Sequence, residues 1–265
     1  MTHVAQNSTV QANGINIHYQ VSGSGSPLVL LHGGTATHEE WNDFLPAFTP
    51  HFTVYAPDSR GHGKTDNPDG VLSYPQMADD VAAFIAALKI DQPIVLGFSD
   101  GGQIALELGL RHPGVARALV ISGSFYKMTP TYFEGLKSWG ISQSMDFDAM
   151  QQYSPDWVEY LKSAHARPDD PDYWQTHMRQ IAGMWLTPIE YSAADLQKIT
   201  VPALVALGDR DESVEVEQAL EMYRMLPQGE LLIFPNATHM GAVKQLANPL
   251  VLDFLLRQTG AGSNA

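Results

Sequence analysis

The sequence predicts an α/β fold: a mostly parallel sheet with helices on both faces and one helical insertion. Three observations predict it. Short continuous apolar runs, the pattern of strands buried on both faces, alternate with segments of helical period. The alternation stops near residue 125 and resumes near residue 199. Hydrophobic residues make up 44% of the 265, enough to bury a sizeable core and to exclude a disordered chain.

The elements follow in order. Ile15, Ile17, Tyr19 and Val21 are apolar at period two, as in a half-buried strand. Pro27 to Leu31 is a buried strand that runs into the tight loop His32-Gly33-Gly34. Phe52 to Ala56 is another strand, stopped by Pro57-Asp58. Met77 to Leu88 has helical spacing, with Asp79 and Asp80 early, where the helix dipole favours them. Pro93 to Gly97 reads as a strand, Gly101 to Leu110 as a helix ended near His112-Pro113-Gly114, and Ala118 to Ser122 as a strand. From Phe125 to about Lys198 the pattern is helical, and the segment holds Trp139, Trp157, Trp174 and Trp185. Pro202 to Leu207, Val214 to Leu226, Leu231 to Phe234 and Pro249 to Arg257 then read as strand, helix, strand and helix. Residues 260–265 are expected to fray. The division is a core of 1–124 and 199–265 with an insertion of 125–198.

Composition narrows the function. With 15 basic against 29 acidic residues the formal net charge is −14, which argues against nucleic acid or an anionic membrane as partner. The absence of cysteine excludes a disulfide framework, a thiolate metal site and a cysteine nucleophile. Met1 to Ser8 has neither a basic start nor an apolar stretch, so the cytoplasm is the default location. Neither monomer nor homodimer is favoured by anything in the sequence.

The sharpest motif is Gly97-Phe98-Ser99-Asp100-Gly101, with a strand before it and a helix after it. G-x-S-x-G in that context is a nucleophile elbow, a strained turn that lifts a serine above the sheet edge. Ser99 needs a base. His239, just past the last predicted strand, is favoured over His32 and His62 by the chain order serine, acid, histidine. The acid that orients the base lies in Gly208-Asp209-Arg210-Asp211-Glu212. Asp211 is the candidate, with Asp209 shaping the turn and Glu212 facing solvent, although spacing alone does not separate them. The N–H of Asp100 and that of Gly34 are the candidate oxyanion donors. No metal-spaced ligand cluster is visible, and neither a metal nor a cofactor is required.

The chain resembles the α/β-hydrolase superfamily in His32-Gly33-Gly34, Asp58-Ser59-Arg60-Gly61-His62-Gly63-Lys64-Thr65, the run Gly97 to Gly102, Gly208 to Asp211, and Thr238-His239. The resemblance implies an eight-stranded, mostly parallel sheet and a helical cap between strands six and seven. It supports Asp211 as the acid and gives the loop from Asp58 to Thr65 a structural role.

Within the superfamily, serine at 99 argues against the haloalkane dehalogenase and epoxide hydrolase branches, and Asp100 departs from the methionine usual in perhydrolase-like haloperoxidases. Ser99-Asp100-Gly101-Gly102 is similar to the valacyclovir-hydrolase-like branch, where the carboxylate helps hold a substrate ammonium. The residues themselves favour Asp100 as a helix cap or an internal bond of the elbow. The Trp and Met content of the insertion predicts an apolar cavity, with Trp139, Trp157 and Trp185 as candidate substrate-binding residues. The expected activity is carboxylesterase-like cleavage of a small ester through an acyl-enzyme. A carbon–carbon bond hydrolase, a lactonase and a ligand receptor on the same scaffold are the alternatives.

Overall fold

The computed structural model describes residues 5–167 and 169–259, so the expected fraying of 260–265 lies outside the described residues. Among them, eight strands form one sheet: β1 Gln6–Ala12, β2 Ile15–Gly23, β3 Ser26–Leu31, β4 Phe52–Pro57, β5 Ile94–Phe98, β6 Ala118–Ser122, β7 Ala203–Gly208 and β8 Gly229–Phe234. Their order is β1-β2-β4-β3-β5-β6-β7-β8. The β1–β2 and β2–β4 pairs are antiparallel, and every later pair is parallel.

The strand missing from the sequence reading is β1. Its residues are mostly exposed and polar, because an edge strand paired only to β2 buries little apolar surface.

The helices are α1 Leu45–Phe48, α2 Tyr74–Ala87, α3 Asp100–Arg111, α4 Pro130–Ser138, α5 Phe147–Tyr153, α6 Pro155–Ala164, α7 Tyr173–Trp185, α8 Ala193–Leu196, α9 Val216–Met225, α10 His239–Val243 and α11 Pro249–Arg257. Helix α2 begins a turn before the predicted Met77. The Ser73 hydroxyl accepts from the Gln76 N–H and Pro75 sits in the first turn, both start signals. The same pairing of a capping side chain with proline starts α4, α6 and α11. Helix α9 starts at Val216, two residues after the predicted Val214, whose N–H donates to the Asp211 carboxylate.

Two apolar layers cover the sheet. Val29, Leu31 and Val95 face one layer, with α2 and α3 residues such as Met77 and Ile104. Leu28, Leu30 and Leu96 face the other, with Phe48 and Phe254 of α1 and α11. This alternation of side chains along doubly buried strands is why the sequence shows continuous apolar runs. Helices α4 to α8 lie between β6 and β7 in the chain. The methionines Met145, Met150, Met178 and Met184 are buried in the packing of that segment. No helix among the described residues is long and apolar enough to cross a membrane.

Candidate active site

The elbow is built by close backbone approach. A Cβ on Gly97 would lie 2.0 Å from the Gly101 carbonyl oxygen, and one on Gly101 would lie 2.0 Å from that of Leu31. Only glycine fits at either place. Ser99 takes φ 53°, ψ −117°, a strained conformation for a residue with a side chain. It is pinned by its N–H to the Ser122 carbonyl at 2.8 Å and by the Ser124 hydroxyl donating to its own carbonyl at 2.8 Å. The hydroxyl of Ser99 therefore stands at the N-terminus of α3, at the carboxyl edge of the sheet.

The three residues predicted from sequence come together there. His239 Nε2 lies 3.0 Å from Ser99 Oγ, and His239 Nδ1 lies 2.8 Å from Asp211 Oδ2. The other Asp211 oxygen accepts from the N–H groups of Ser213 and Val214, both at 2.9 Å. The ordering contact on His239 therefore comes from a side chain that is itself fixed. Burial opposes a charge on His239, but the Asp211 carboxylate outweighs it and lifts the imidazole above its ordinary value. Asp209 accepts from the Ala237 N–H at 3.3 Å and does not reach the imidazole. Glu212 is exposed as expected, yet it accepts from the His239 N–H at 3.0 Å, a contact the sequence does not announce.

Backbone donors are available for a developing oxyanion. Asp100 is the first residue of α3, so its N–H has no intrahelical acceptor. In the loop after β3, the Gly33 N–H is held by Glu40 at 2.8 Å, and the Ala36 N–H by the Gly33 carbonyl at 3.2 Å. Among the described residues nothing accepts from the Gly34 N–H. A Cβ on Gly34 would lie 2.4 Å from the Trp185 ring and 2.5 Å from Asp100 Oδ2, so glycine is required there.

The Asp100 side chain corrects one expectation. It neither caps α3 nor bonds within the elbow. Its carboxylate accepts from the Tyr74 hydroxyl at 2.7 Å and from the Trp185 Nε1–H at 3.0 and 2.8 Å. Burial pushes it up to about 6, against the pull of those two donors. A second carboxyl, Glu40, is pushed up by burial to about 7.

Above the triad lies a cavity of about 570 Å³. Trp139, Trp157 and Trp185, the candidate substrate-binding residues, all line it, with Phe125 and Tyr132. Trp174 does not, and neither do the buried methionines of the insertion. The methionine content therefore serves that segment's own packing rather than the cavity.

The two rival histidines, His32 and His62, make structural contacts. His32 Nε2 accepts from the Ser59 N–H at 2.9 Å, and the His62 imidazole bonds the Arg60 carbonyl at 2.9 Å. Among the described residues, folding does assemble one set of possible metal-ligand atoms that sequence spacing hides, from His18, His38 and Asp58. The Asp58 carboxylate is already occupied by both imidazoles, at 3.1 and 2.7 Å, and by the His38 and Lys64 N–H groups.

Comparison with known proteins identifies the family. The chain is 27% identical over 265 residues to the 2-hydroxy-6-oxo-2,4-heptadienoate hydrolase of Pseudomonas putida, covering 93% of this chain and 95% of that one. It is 30% identical to the AB hydrolase superfamily protein YisY of Bacillus subtilis, over 88% of this chain and 92% of that protein. The crystal structure of a membrane phospholipase A shares the fold, with a TM-score of 0.79 at 22% identity over 97% of this chain and 87% of that one. Residues 28–247 match the alpha/beta hydrolase family, and the chain is a member of that family of hydrolases.

Proposed function

We propose that the protein is a serine hydrolase that cleaves a carboxylic ester of a small, partly apolar substrate. One observation carries this reading: Ser99, His239 and Asp211 form a continuous hydrogen-bonded chain beneath the cavity, with the Asp100 and Gly34 N–H groups beside it. Ser99 Oγ attacks the ester carbonyl as His239 Nε2 takes its proton, and Asp211 stabilises the imidazolium. The two N–H groups donate to the oxyanion. His239 returns the proton to the leaving alcohol, and water repeats the sequence to release the acid. The helical segment over the cavity acts as its lid, and a small molecule rather than a nucleic acid or membrane is the partner. A cytoplasmic location is part of the same proposal.

A second reading, cleavage of a carbon–carbon bond in a vinylogous diketone, is favoured by the Pseudomonas putida relative. The substrate in that enzyme's name carries a carboxylate, which calls for a cationic partner. Among the described residues no Lys or Arg lines the cavity, whereas Glu40, Asp100 and Glu212 do. This electrostatic character supports a neutral ester over a dienoate.

A panel of p-nitrophenyl esters, amino-acid esters, lactones and vinylogous diketones tests the proposal. Turnover of the esters, lost in Ser99→Ala, is the expected result. A wide preference for the diketones would replace it with the second reading.

A further inference from the structure

Thr35 follows Gly34 in the loop that carries the second oxyanion donor. It holds φ 64°, which a β-branched residue adopts only when its surroundings enforce it. Its N–H makes a long contact of 3.4 Å to His62 Nε2. The two shorter contacts come from the inserted segment. Trp157, on α6, donates its Nε1–H to Thr35 Oγ1 at 3.1 Å. His165, the residue that ends α6, bonds the Thr35 carbonyl through Nε2 at 2.8 Å.

The state of His165 is set by its surroundings. Its Nδ1 faces the Gly63 N–H at 3.1 Å and must accept, so the proton sits on Nε2 and is donated to Thr35. The ring is fully buried and stacks on His177 with centroids 4.0 Å apart. Burial, with His32 nearby, pushes the imidazole down to about 4, so this donor–acceptor form persists through neutral pH.

We infer that Trp157 and His165 are positioning residues for the oxyanion hole: they fix Thr35, and through it the Gly34 N–H. Docking of the inserted segment and completion of the hole are then one event. Trp157 has a role beyond lining the cavity, and His165, which does not line it, has a role in turnover. The inference rests on the hydrolase reading above.

The test uses a fluorophosphonate, which reacts with Ser99 without knowledge of the natural substrate. Ser99 Oγ bonds to phosphorus, fluoride leaves and the serine proton passes to His239, so the rate reports the nucleophile and the oxyanion donors together. Trp157→Phe keeps an aromatic ring, though a smaller one, and removes the donor. It is expected to slow both labelling and kcat on p-nitrophenyl acetate by about tenfold, with KM within about twofold.

In a Thr35→Val background the same substitution is expected to cost nothing, because the acceptor is gone. His165→Ala is expected to act like Trp157→Phe, and His165→Gln, which keeps a donor and an acceptor, to recover most of the rate. Unchanged labelling, an equal cost of Trp157→Phe in both backgrounds, or a change confined to KM would overturn the inference and leave the hydrolase reading intact. Failure of the unsubstituted protein to label would overturn both.

Discussion

The Trp185 indole N–H donates to both oxygens of the Asp100 carboxylate, at 3.0 and 2.8 Å, and so joins the inserted segment to the residue beside Ser99. Burial of that carboxylate has a cost that depends on pH, which the bond offsets in part. The Asp100 pKa, about 6, lies above the ordinary carboxylate value, so the folded state binds the proton more tightly than the unfolded chain. This contribution is full below the ordinary value and is lost as pH rises through about 6. Trp185→Phe removes one donor from the ionised form. It is expected to destabilise the protein by about 1–3 kcal/mol at pH 8 and by less at pH 5, read from urea unfolding. Equal losses at both pH values would contradict this account of Asp100.

Asp211 and Asp209 lie two residues apart, and only the first reaches the imidazole. Asp211→Asn is expected to lower kcat on p-nitrophenyl acetate by about 10³–10⁴-fold through loss of the correct imidazole orientation. Asp209→Asn is expected to lower it by less than about tenfold, since that side chain only shapes the turn. A larger loss at 209 would reassign the acid.

The rate should follow the neutral form of His239. Asp211 lifts this imidazole despite its burial, with a further contribution from Glu212, so the acid limb of kcat/KM is expected above the ordinary histidine value. Glu212→Gln removes a negative charge and should move that limb to lower pH. Glu40 also titrates, near 7, so a parallel profile of Glu40→Gln separates its effect. An acid limb unmoved by Glu212→Gln would remove Glu212 from the electrostatics of the site.

His62 packs against His165 and His177 of the inserted segment, with ring centroids 4.0 to 5.8 Å apart. Burial, aided by their mutual proximity and by Arg167, holds His177 well below the ordinary value, and His62 is held down by burial with His32 and His165. For each, the unfolded chain binds the proton more readily, so stability is lost as pH falls below the ordinary value of 6.5. Among the described residues neither nitrogen of His177 has a hydrogen-bond partner. His177→Phe is expected to stabilise the protein by about 1 kcal/mol at pH 8 and by more at pH 5, measured by urea unfolding. Destabilisation at both pH values would mean that the ring nitrogens meet a need that these contacts do not reveal.

Much of this protein is local information. The doubly buried strands β3, β5, β6 and β7 are continuous apolar runs because both of their faces are covered, and such runs are visible in any window of the chain. The elbow motif is legible locally, since Gly97 is demanded by the Gly101 carbonyl within the turn, although Gly101 is demanded by the Leu31 carbonyl on β3. The alternation of strand and helix places His239 and Asp211 at the same sheet edge, and their hydrogen bonds follow from that.

What the sequence could not supply depends on long-range contact. β1 is polar because it is an edge, and only pairing with β2 makes it a strand. The partners of Asp100 lie 26 and 85 residues away, and those that Thr35 receives from the insertion lie 122 and 130 residues away. Chain spacing carries no trace of such pairs, because burial and hydrogen bonding select them only after the layers have packed. The sequence by itself determined the Ser99 elbow, the histidine that faces it and the sheet that presents them. Only the tertiary structure decided that Asp100 is bound by Tyr74 and Trp185, and that Thr35, beside Gly34, is held by the segment inserted between β6 and β7.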